Sequence, residues 1–358
     1  MKSIEDYVYL EQVYYQDILK NFEELFLTQL NNVKLLEIDN LVLYATGSSS
    51  NAAFAALPFM SNILQIPISV EEPSITENYG LNIKKNTLCI AISQSGHSYS
   101  IVKLVEKLQE QGITVFSMTS EKNSPLAEVS HHVLQMGMPV EEMPYVSAGY
   151  SVTILDLMLI SLLVARGQGK MTNDELQKHI NSISAIANSF SELVDRSSEW
   201  VDQEIDNFNK ARRITFIGYG SAYGVAREGE TKFTEAVRIS TWGKELEEYM
   251  HGPYLGLRPD DFFVFIEPNG RLEQRANLLK KFLINHSNNV YTIFACDSGF
   301  ITQNTNDLNL NIKTNELLAS LFMTVPIHLM AYRLSKRYNI DLEHSAYPDF
   351  DKITASKI

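Results

Sequence analysis

A run of small and polar residues, SQSGHS at 93–98, follows the apolar segment Thr87–Ile92 and precedes a helical pattern that begins at Tyr99. Hydroxyls and backbone N–H groups at a strand-to-helix turn suit a phosphate, because the helix N-terminus is electropositive and its first amides lack partners. A second turn of this type, TGSSS at 46–50, follows the apolar residues 41–45. One such turn could simply cap a helix. Two in one domain predict a site for a small phosphorylated molecule.

Both turns belong to a plan that the chain repeats. LVLYATGSSSNA at 41–52 and ITFIGYGSAYGV at 214–225 each show an apolar strand, a small-residue turn and a helix start, at an offset of 173. Nearly the same offset pairs residues 86–93 with 260–267 and residues 113–119 with 289–295. A repeat of this length indicates two copies of a domain. Strands that alternate with helical patterns and are apolar on both faces predict doubly wound parallel sheets.

The two copies differ at the turn after their third strand. The first copy has SQSG at 93–96, whereas the second has EPNG at 267–270. A carboxylate and a proline cannot supply the hydroxyls and amides that a phosphate requires. We therefore expect the phosphate in the first copy only.

The repeat predicts a division of the chain into five parts. These are an N-terminal amphipathic helix at 1–34, a first α/β domain at 35–166, a helical linker at 167–205, a second α/β domain at 206–340 and a tail at 341–358.

Composition excludes several functional classes. The net charge of −13 over 358 residues argues against nucleic-acid binding, and any anion site must be built locally. The acidic N-terminus is unlike a signal peptide, and the longest apolar segment, residues 152–165, is too short to span a bilayer. Cys89 and Cys296 lie in apolar strand-like runs, which predicts buried free thiols in a reducing compartment. We expect a cytoplasmic protein that does not associate with membranes.

No metal-binding motif is present. The pair His131-His132 lacks carboxylate or cysteine partners at metal-ligand spacing and is interpreted as part of a loop. We expect neither a metal nor an organic cofactor.

The most specific pattern lies in the second copy, EGETKFTE at 228–235 followed by EYMHGP at 248–253. Together with the two hydroxyl-rich turns and the tandem repeat, it resembles the sugar isomerase (SIS) domain family from about Leu35 onward. Within that family it is similar to the isomerase half of glucosamine-6-phosphate synthase and to ketosamine-phosphate deglycases. The resemblance implies an α/β fold of two doubly wound parallel-sheet SIS domains, flavodoxin-like, in tandem.

The resemblance also implies catalytic roles. Glu235 would be the base that moves a proton between C1 and C2 of an open-chain sugar phosphate, and Lys232 would stabilise the oxygen that becomes negative. With Glu228, these residues are spaced i, i+4 and i+7, so on a helix they share one face. His251 would open the sugar ring by proton transfer.

Further site residues follow from the same resemblance. The family places the histidine across a subunit interface, which implies a homodimer at least and leaves a tetramer open. A lysine near the C-terminus would reach the sugar carbonyl; Lys352 matches it, with Lys357 as the alternative. The phosphate and sugar pocket would be formed by Gly47, Ser48, Ser49, Ser93, Gln94, Ser95, Ser98 and, late in the first domain, Ser147.

Two departures from the synthase pattern bear on function. The chain shows no nucleophilic cysteine near Met1, so we expect no ammonia transfer from glutamine. The synthase loop E-x-G-V-A-S-T-K reads EMPYVSAGY at 142–150, so glycine stands at the lysine position and Tyr145 and Tyr150 are added. His97 also replaces an acid. These changes indicate a different substituent on the sugar.

The first expectation is therefore a deglycase that converts a 6-phosphorylated fructosyl-amino acid into glucose 6-phosphate and an amine. The alternative is an isomerase/deaminase of glucosamine or galactosamine 6-phosphate. A third interpretation, a sugar-phosphate sensor, would not need the Glu235 and His251 arrangement. The sequence leaves the amine, the sugar epimer and the physiological direction open.

Overall fold

Two five-stranded sheets, in which every strand runs parallel to its neighbours, form the frame of the chain. The computed structural model describes residues 1–80, 82–297 and 304–358. It divides into two compact units, one made of residues 1–12, 143–151 and 185–343, and the other of residues 13–142, 152–184 and 344–358. We call them the catalytic-pattern unit and the phosphate-turn unit, after the motifs that they carry.

The sheet of the phosphate-turn unit has the order β2-β1-β3-β4-β5. Its strands are β1 (Asn40–Tyr44), β2 (Ile68–Glu71), β3 (Thr87–Ile92), β4 (Val115–Thr119) and β5 (His132–Gln135), and the helices between them are α2 (Gly47–Leu64), α3 (Pro73–Tyr79), α4 (Tyr99–Glu110) and α5 (Pro125–Val129).

The second sheet has the order β10-β9-β8-β6-β7, which is the same order read from the other edge. Its strands are β6 (Arg213–Gly218), β7 (Ser240–Glu245), β8 (Phe262–Glu267), β9 (Asn289–Phe294) and β10 (Leu308–Asn309), with helices α9 (Ser221–Lys232), α10 (Leu246–Met250), α11 (Glu273–Ile284) and α12 (Val325–Arg337). The other helices are α1 (Ile4–Leu30), α6 (Ala148–Gly167), α7 (Asn173–Asn188), α8 (Phe190–Phe208) and α13 (Phe350–Thr354). The expected pair of doubly wound parallel sheets is confirmed.

Helix α4 shows why such segments fold as they do. Its residues Ile101, Leu104, Val105 and Leu108 repeat at helical spacing and are buried in one core cluster with Cys89. The opposite face is polar and includes the exposed ion pair Lys103–Glu106. The amphipathic pattern thus seats α4 on the sheet and sets the position of its N-terminus after the SQSGHS turn.

Two local expectations are wrong in detail. His132 begins the edge strand β5, so the His131-His132 pair is only half in a loop. Cys296 is half-buried and lies beyond the end of β9, while Cys89 is fully buried. The buried apolar helix predicted at 152–165 is confirmed, since these residues lie within the 20-residue helix α6.

Helix α6 and residues 316–337 are long and apolar enough to cross a membrane, by length and composition alone. The apolar window of α6 is wholly buried inside the protein, and that of residues 316–337 is 83% buried. Such burial is typical of core helices, which agrees with the interpretation of this segment as a buried helix.

Candidate active site

The two hydroxyl-rich turns lie at the carboxyl ends of β1 and β3, which are neighbours in the centre of their sheet. The chain leaves β1 toward β2 on one side, whereas β3 leads to β4 on the other side. In parallel α/β sheets, ligands bind at the carboxyl edge where the strand order reverses in this way. The fold therefore brings both turns to one crevice, which we call the first crevice.

The turn at 93–98 has a rigid backbone. Gly96 has a φ of 72°, and a Cβ atom there would overlap the Oγ atom of Ser124. Its N–H donates to the carbonyl of Ser93 at 3.0 Å, and the carbonyl of Gln94 accepts from the N–H of Ser120 at 2.8 Å. Only glycine fits this position, for conformation and for space.

The helix-capping interpretation of these hydroxyls finds no support in the geometry. Thr46 is the N-cap of α2 and Ser98 the N-cap of α4, yet neither side chain accepts a capping hydrogen bond. Ser48 and Ser49 are half-buried, as are Ser95 and Ser98, while Ser93 and Gln94 are buried. Gly47 begins α2 with a φ of 57°. The hydroxyls of Thr46 and Ser98, at the N-cap positions beside the first crevice, are therefore not used as caps.

Ser147 belongs to the catalytic-pattern unit, where it immediately precedes α6 and is fully buried. The neighbouring Tyr150 is also fully buried and packs edge-on against His328, with ring centroids 6.1 Å apart. Burial, together with the nearby carboxylates of Glu228 and Glu11, raises the pKa of Tyr150 well above its usual value. Tyr150 is thus a core residue, whereas Tyr145 is half-buried.

Three charged residues of the EGETKFTE pattern, Glu228, Lys232 and Glu235, meet at the end of α9. The Nζ atom of Lys232 lies 3.5 Å from Oε1 of Glu228 and 3.2 Å from Oε2 of Glu235. Lys232 and Glu228 are fully buried, while the side chain of Glu235 is 41% exposed. One buried ammonium group thus holds a buried carboxylate on one side and a solvent-accessible carboxylate on the other.

The backbone at Glu235 differs from the regular helix that the spacing assumed. Helix α9 ends at Lys232, and Phe233–Val237 form one π-helical turn. Arg238 ends that turn with a φ of 62°. Single π turns are rare and occur frequently at functional sites. Glu235 lies in this wider turn, and its carboxylate still contacts the ammonium group of Lys232.

His328 on α12 belongs to the same cluster, and sequence reasoning missed it. Its Nε2 atom lies 3.6 Å from Oε1 of Glu228, and both side chains are fully buried. Burial lowers the pKa of His328, although the Glu228 carboxylate acts in the opposite direction. The only signal in the sequence was one histidine in an apolar helical run, which is most often a core residue.

His251 follows α10 directly and is exposed. Its ring makes no hydrogen bond within the described ranges, while its N–H donates to the carbonyl of Glu248 at 3.2 Å. Exposed apolar side chains follow in the chain, namely Tyr254 and the 77% exposed Leu255. The ring of Tyr254 lies 6.5 Å from that of Phe282, which is itself exposed on α11.

The candidate C-terminal lysines lie in the phosphate-turn unit. Lys352 is exposed on α13 and forms no ion pair with any residue that the structure describes. Lys357 lies 3.3 Å from Asp351 and pairs antiparallel with Ser98. Among the described residues, no group of three or more His, Cys, Asp or Glu side chains is placed to hold a metal ion.

Two stretches of the chain, residues 34–166 and 207–335, match the SIS domain family. The chain belongs to the SIS domain family. The two matched stretches contain the two sheets, so the tandem arrangement of SIS domains that the repeat predicted is confirmed.

Curated relatives of this SIS protein include glutamine–fructose-6-phosphate aminotransferases. That of Fusobacterium nucleatum is 24% identical over 330 residues, covering 91% of this chain and 54% of its own length. That of Escherichia coli K12 is 20% identical over 310 residues, covering 86% of this chain and 51% of its own length. The SIS protein thus spans about half the length of these relatives.

Solved structures extend the likeness over nearly the whole chain. A Clostridium difficile 630 protein proposed to be a phosphosugar isomerase superposes with a TM-score of 0.90 and 26% identity, covering 99% of this chain and 98% of that one. The C-terminal domain of glucosamine-fructose-6-phosphate aminotransferase from Francisella tularensis superposes with a TM-score of 0.86 and 19% identity, covering 95% and 97%. These structures show that the fold of two SIS domains is shared over nearly the whole chain.

Proposed function

We propose that this SIS protein is a deglycase that acts on a 6-phosphorylated ketosamine and releases glucose 6-phosphate and an amine. The observation that carries the proposal is the partly exposed Glu235 carboxylate, held 3.2 Å from the buried ammonium group of Lys232. A positioned carboxylate beside a fixed cation is what enolisation next to a carbonyl or imine requires.

In this mechanism Glu235 removes a proton from C1 of the open-chain ketosamine, and the electron pair forms the C1–C2 double bond of an enolamine. Lys232 stabilises the oxygen on C2 while it carries negative charge. Return of the proton from Glu235 to C2, with transfer of the N–H proton to the C2 oxygen, gives the C1 aldimine. Water then adds to C1, and the C1–N bond breaks to release the aldehyde form of glucose 6-phosphate and the free amine.

The remaining residues have defined parts in the proposal. The hydroxyls and helix N-termini of the first crevice bind the 6-phosphate group, His251 opens the sugar ring, and Lys352 contacts the sugar carbonyl. Lys357 is less suited to that contact because Asp351 already pairs with it. Gly149 at the lysine position of the synthase loop supports a bulkier amine substituent.

The second candidate is an isomerase/deaminase of a simple amino-sugar 6-phosphate. The glucosamine-6-phosphate deaminase of Thermotoga maritima has the same fold, with a TM-score of 0.73 and 18% identity over 95% of this chain and 98% of that one. The buried position of Tyr150 favours this candidate, because it removes one of the two tyrosines expected to face an amine substituent.

The decisive experiment measures glucose 6-phosphate release from a panel of 6-phosphorylated fructosyl-amino acids. Glucosamine 6-phosphate is tested in parallel for fructose 6-phosphate and ammonia. Glu235→Gln is the test variant, and Glu192→Gln, at an exposed glutamate on α8, is the matched control. Turnover of a fructosyl-amino acid that Glu235→Gln abolishes supports the deglycase. Turnover of glucosamine 6-phosphate alone supports the deaminase, and binding without any turnover supports a sensor.

We also propose a cytoplasmic homodimer in which His251 serves the site of the partner subunit. The exposed apolar residues Tyr254, Leu255, Leu278 and Phe282 follow His251 or lie on α11, and they would be covered in a dimer. Mixing Glu235→Gln with His251→Ala tests this. If each subunit supplies one of the two groups, half of the dimers regain one intact site, and about a quarter of the wild-type activity returns. An inactive mixture of exchanged subunits would contradict the arrangement.

A further inference from the structure

The C-terminal segment is fastened to the phosphate-binding turn by three hydrogen bonds. Nδ1 of His97 lies 2.5 Å from the main-chain oxygen of Ile358, and the N–H of Ile358 donates to the carbonyl of His97 at 3.0 Å. The N–H of Tyr99 donates to the carbonyl of Ser356 at 3.2 Å. Residues 97–99 and 356–358 thus form a short antiparallel pair, centred on Ser98 and Lys357, which we call the clasp.

The clasp is joined rigidly to the helix that bears Lys352. Helix α13 ends at Thr354, and the next residue, Ala355, has a φ of 50° that reverses the chain. The Asp351 carboxylate then accepts from the Ser356 hydroxyl at 2.5 Å and pairs with Lys357 at 3.3 Å. These bonds lower the pKa of Asp351, so the carboxylate stays ionised and keeps both partners. The clasp bond from Tyr99 to Ser356 therefore also restrains Asp351, the residue that precedes Lys352.

Helix α13 buries none of its own side chains. Residues 343–355 are exposed throughout, including the large apolar side chains of Tyr347, Phe350 and Ile353. A five-residue helix with no buried side chain is not stable by itself. The position of Lys352 thus depends strongly on the clasp.

Of the three hydrogen bonds in the clasp, the one made by the His97 side chain is the one that a substitution can remove. The main-chain oxygen of Ile358 can only accept a hydrogen bond, so Nδ1 of His97 carries the proton in this contact. A carboxylate at the same position could not donate this hydrogen bond. The two main-chain bonds of the clasp, in contrast, do not require a particular side chain.

We infer that His97 is a positioning residue, which holds the C-terminal segment against the phosphate-binding turn so that Lys352 is presented to the bound sugar phosphate. This inference rests on the proposed function for the role of Lys352. The clasp would place that lysine in the same unit as the first crevice and beside one of its two turns.

The test compares His97→Asn, which keeps a donor near the position of Nδ1, with His97→Asp, which has the same shape but only acceptors when ionised. His131→Asn is the control at an exposed histidine of the same unit. Hydrogen–deuterium exchange of residues 343–358 reports on the clasp without any substrate. Loss of one hydrogen bond is expected to speed exchange there about fivefold in His97→Asp, with His97→Asn close to wild type.

Activity then decides whether the clasp acts through Lys352. His97→Asp is expected to lower kcat/KM about fivefold in the wild-type background and to have no further effect in Lys352→Met. An equal loss in both backgrounds, or equal exchange in His97→Asp and His97→Asn, would overturn the inference. If the wild-type protein turns over no sugar phosphate, the proposed function fails, while the exchange comparison still tests the clasp.

Discussion

The carboxyl edges of the two sheets have the same topology but carry different polar groups. The first crevice, between β1 and β3, is lined by serine hydroxyls and by helix N-caps that do not cap with their side chains. At the equivalent place in the second sheet, between β6 and β8, the Tyr219 hydroxyl donates to the Glu267 carboxylate. That carboxylate also accepts from the N–H of Asn269 at 3.1 Å, and the N–H of Gly270 donates to the Tyr219 oxygen at 2.9 Å.

The second copy has thus filled its own anion position. Glu267 is buried, and its carboxylate takes the donors that a phosphate would otherwise use. Burial raises the pKa of Glu267 to about 7, with the Glu273 carboxylate adding to the increase. The comparison shows that both copies kept the same strand order, whereas the polar residues at their turns diverged. In the second copy the candidate chemistry lies instead at the end of α9.

The largest expected difference lies between two glutamates of the second copy. Glu235→Gln should lower kcat about 1,000-fold, because a positioned general base contributes about 100- to 10,000-fold. Glu267→Gln should leave kcat within about twofold, since its partners belong to a closed hydrogen-bond network. Steady-state kinetics on the active substrate measures both. Comparable losses in the two variants would show that the second crevice takes part in catalysis.

A smaller effect separates the two crevices in ligand binding. Ser95→Ala should weaken glucose 6-phosphate binding about tenfold or more, because a hydrogen bond to a charged group contributes about 1.5–3 kcal/mol. Asn269→Gly, in the corresponding turn of the second copy, tolerates the φ of 57° and should leave the affinity unchanged. Titration calorimetry measures both affinities. If only Asn269→Gly weakened binding, the prediction would be wrong and the phosphate would bind in the second copy.

A third difference is a pH dependence of stability confined to the second crevice. Because the pKa of Glu267 is raised to about 7 in the folded protein, the folded state holds this proton more strongly than the unfolded state does. Glu267 therefore lowers the free energy of unfolding progressively as the pH rises from about 4.5 to 7. The full cost, on the order of 3 kcal/mol, applies above pH 7.

Urea unfolding of the wild type and Glu267→Gln at pH 5, 6, 7 and 8 checks this prediction. The stability of the variant relative to wild type should increase with pH and level off above pH 7, while contributions from unchanged groups cancel. A difference that stays constant, or that narrows as the pH rises, would show that Glu267 is not held in a protonated state near neutrality.

The sequence by itself determined the frame of this protein and the type of chemistry at its turns. Strand β3 has the predicted bounds, and α4 begins at the predicted Tyr99, because strand and helix patterns depend on neighbouring residues. Glu228, Lys232 and Glu235 were expected on one face, and Lys232 does contact both of these glutamates. Local spacing was sufficient for each of these predictions.

Only the tertiary structure decided which polar groups became buried and what they contact. Glu228 meets His328 from α12, Tyr150 lies in the core, and Tyr219 bonds with Glu267 across 48 positions of sequence. The clasp joins His97 to Ile358, which are 261 positions apart. Such contacts arise from packing between distant elements, and burial then changes the charge state of the groups involved. Neither spacing nor composition carries that information.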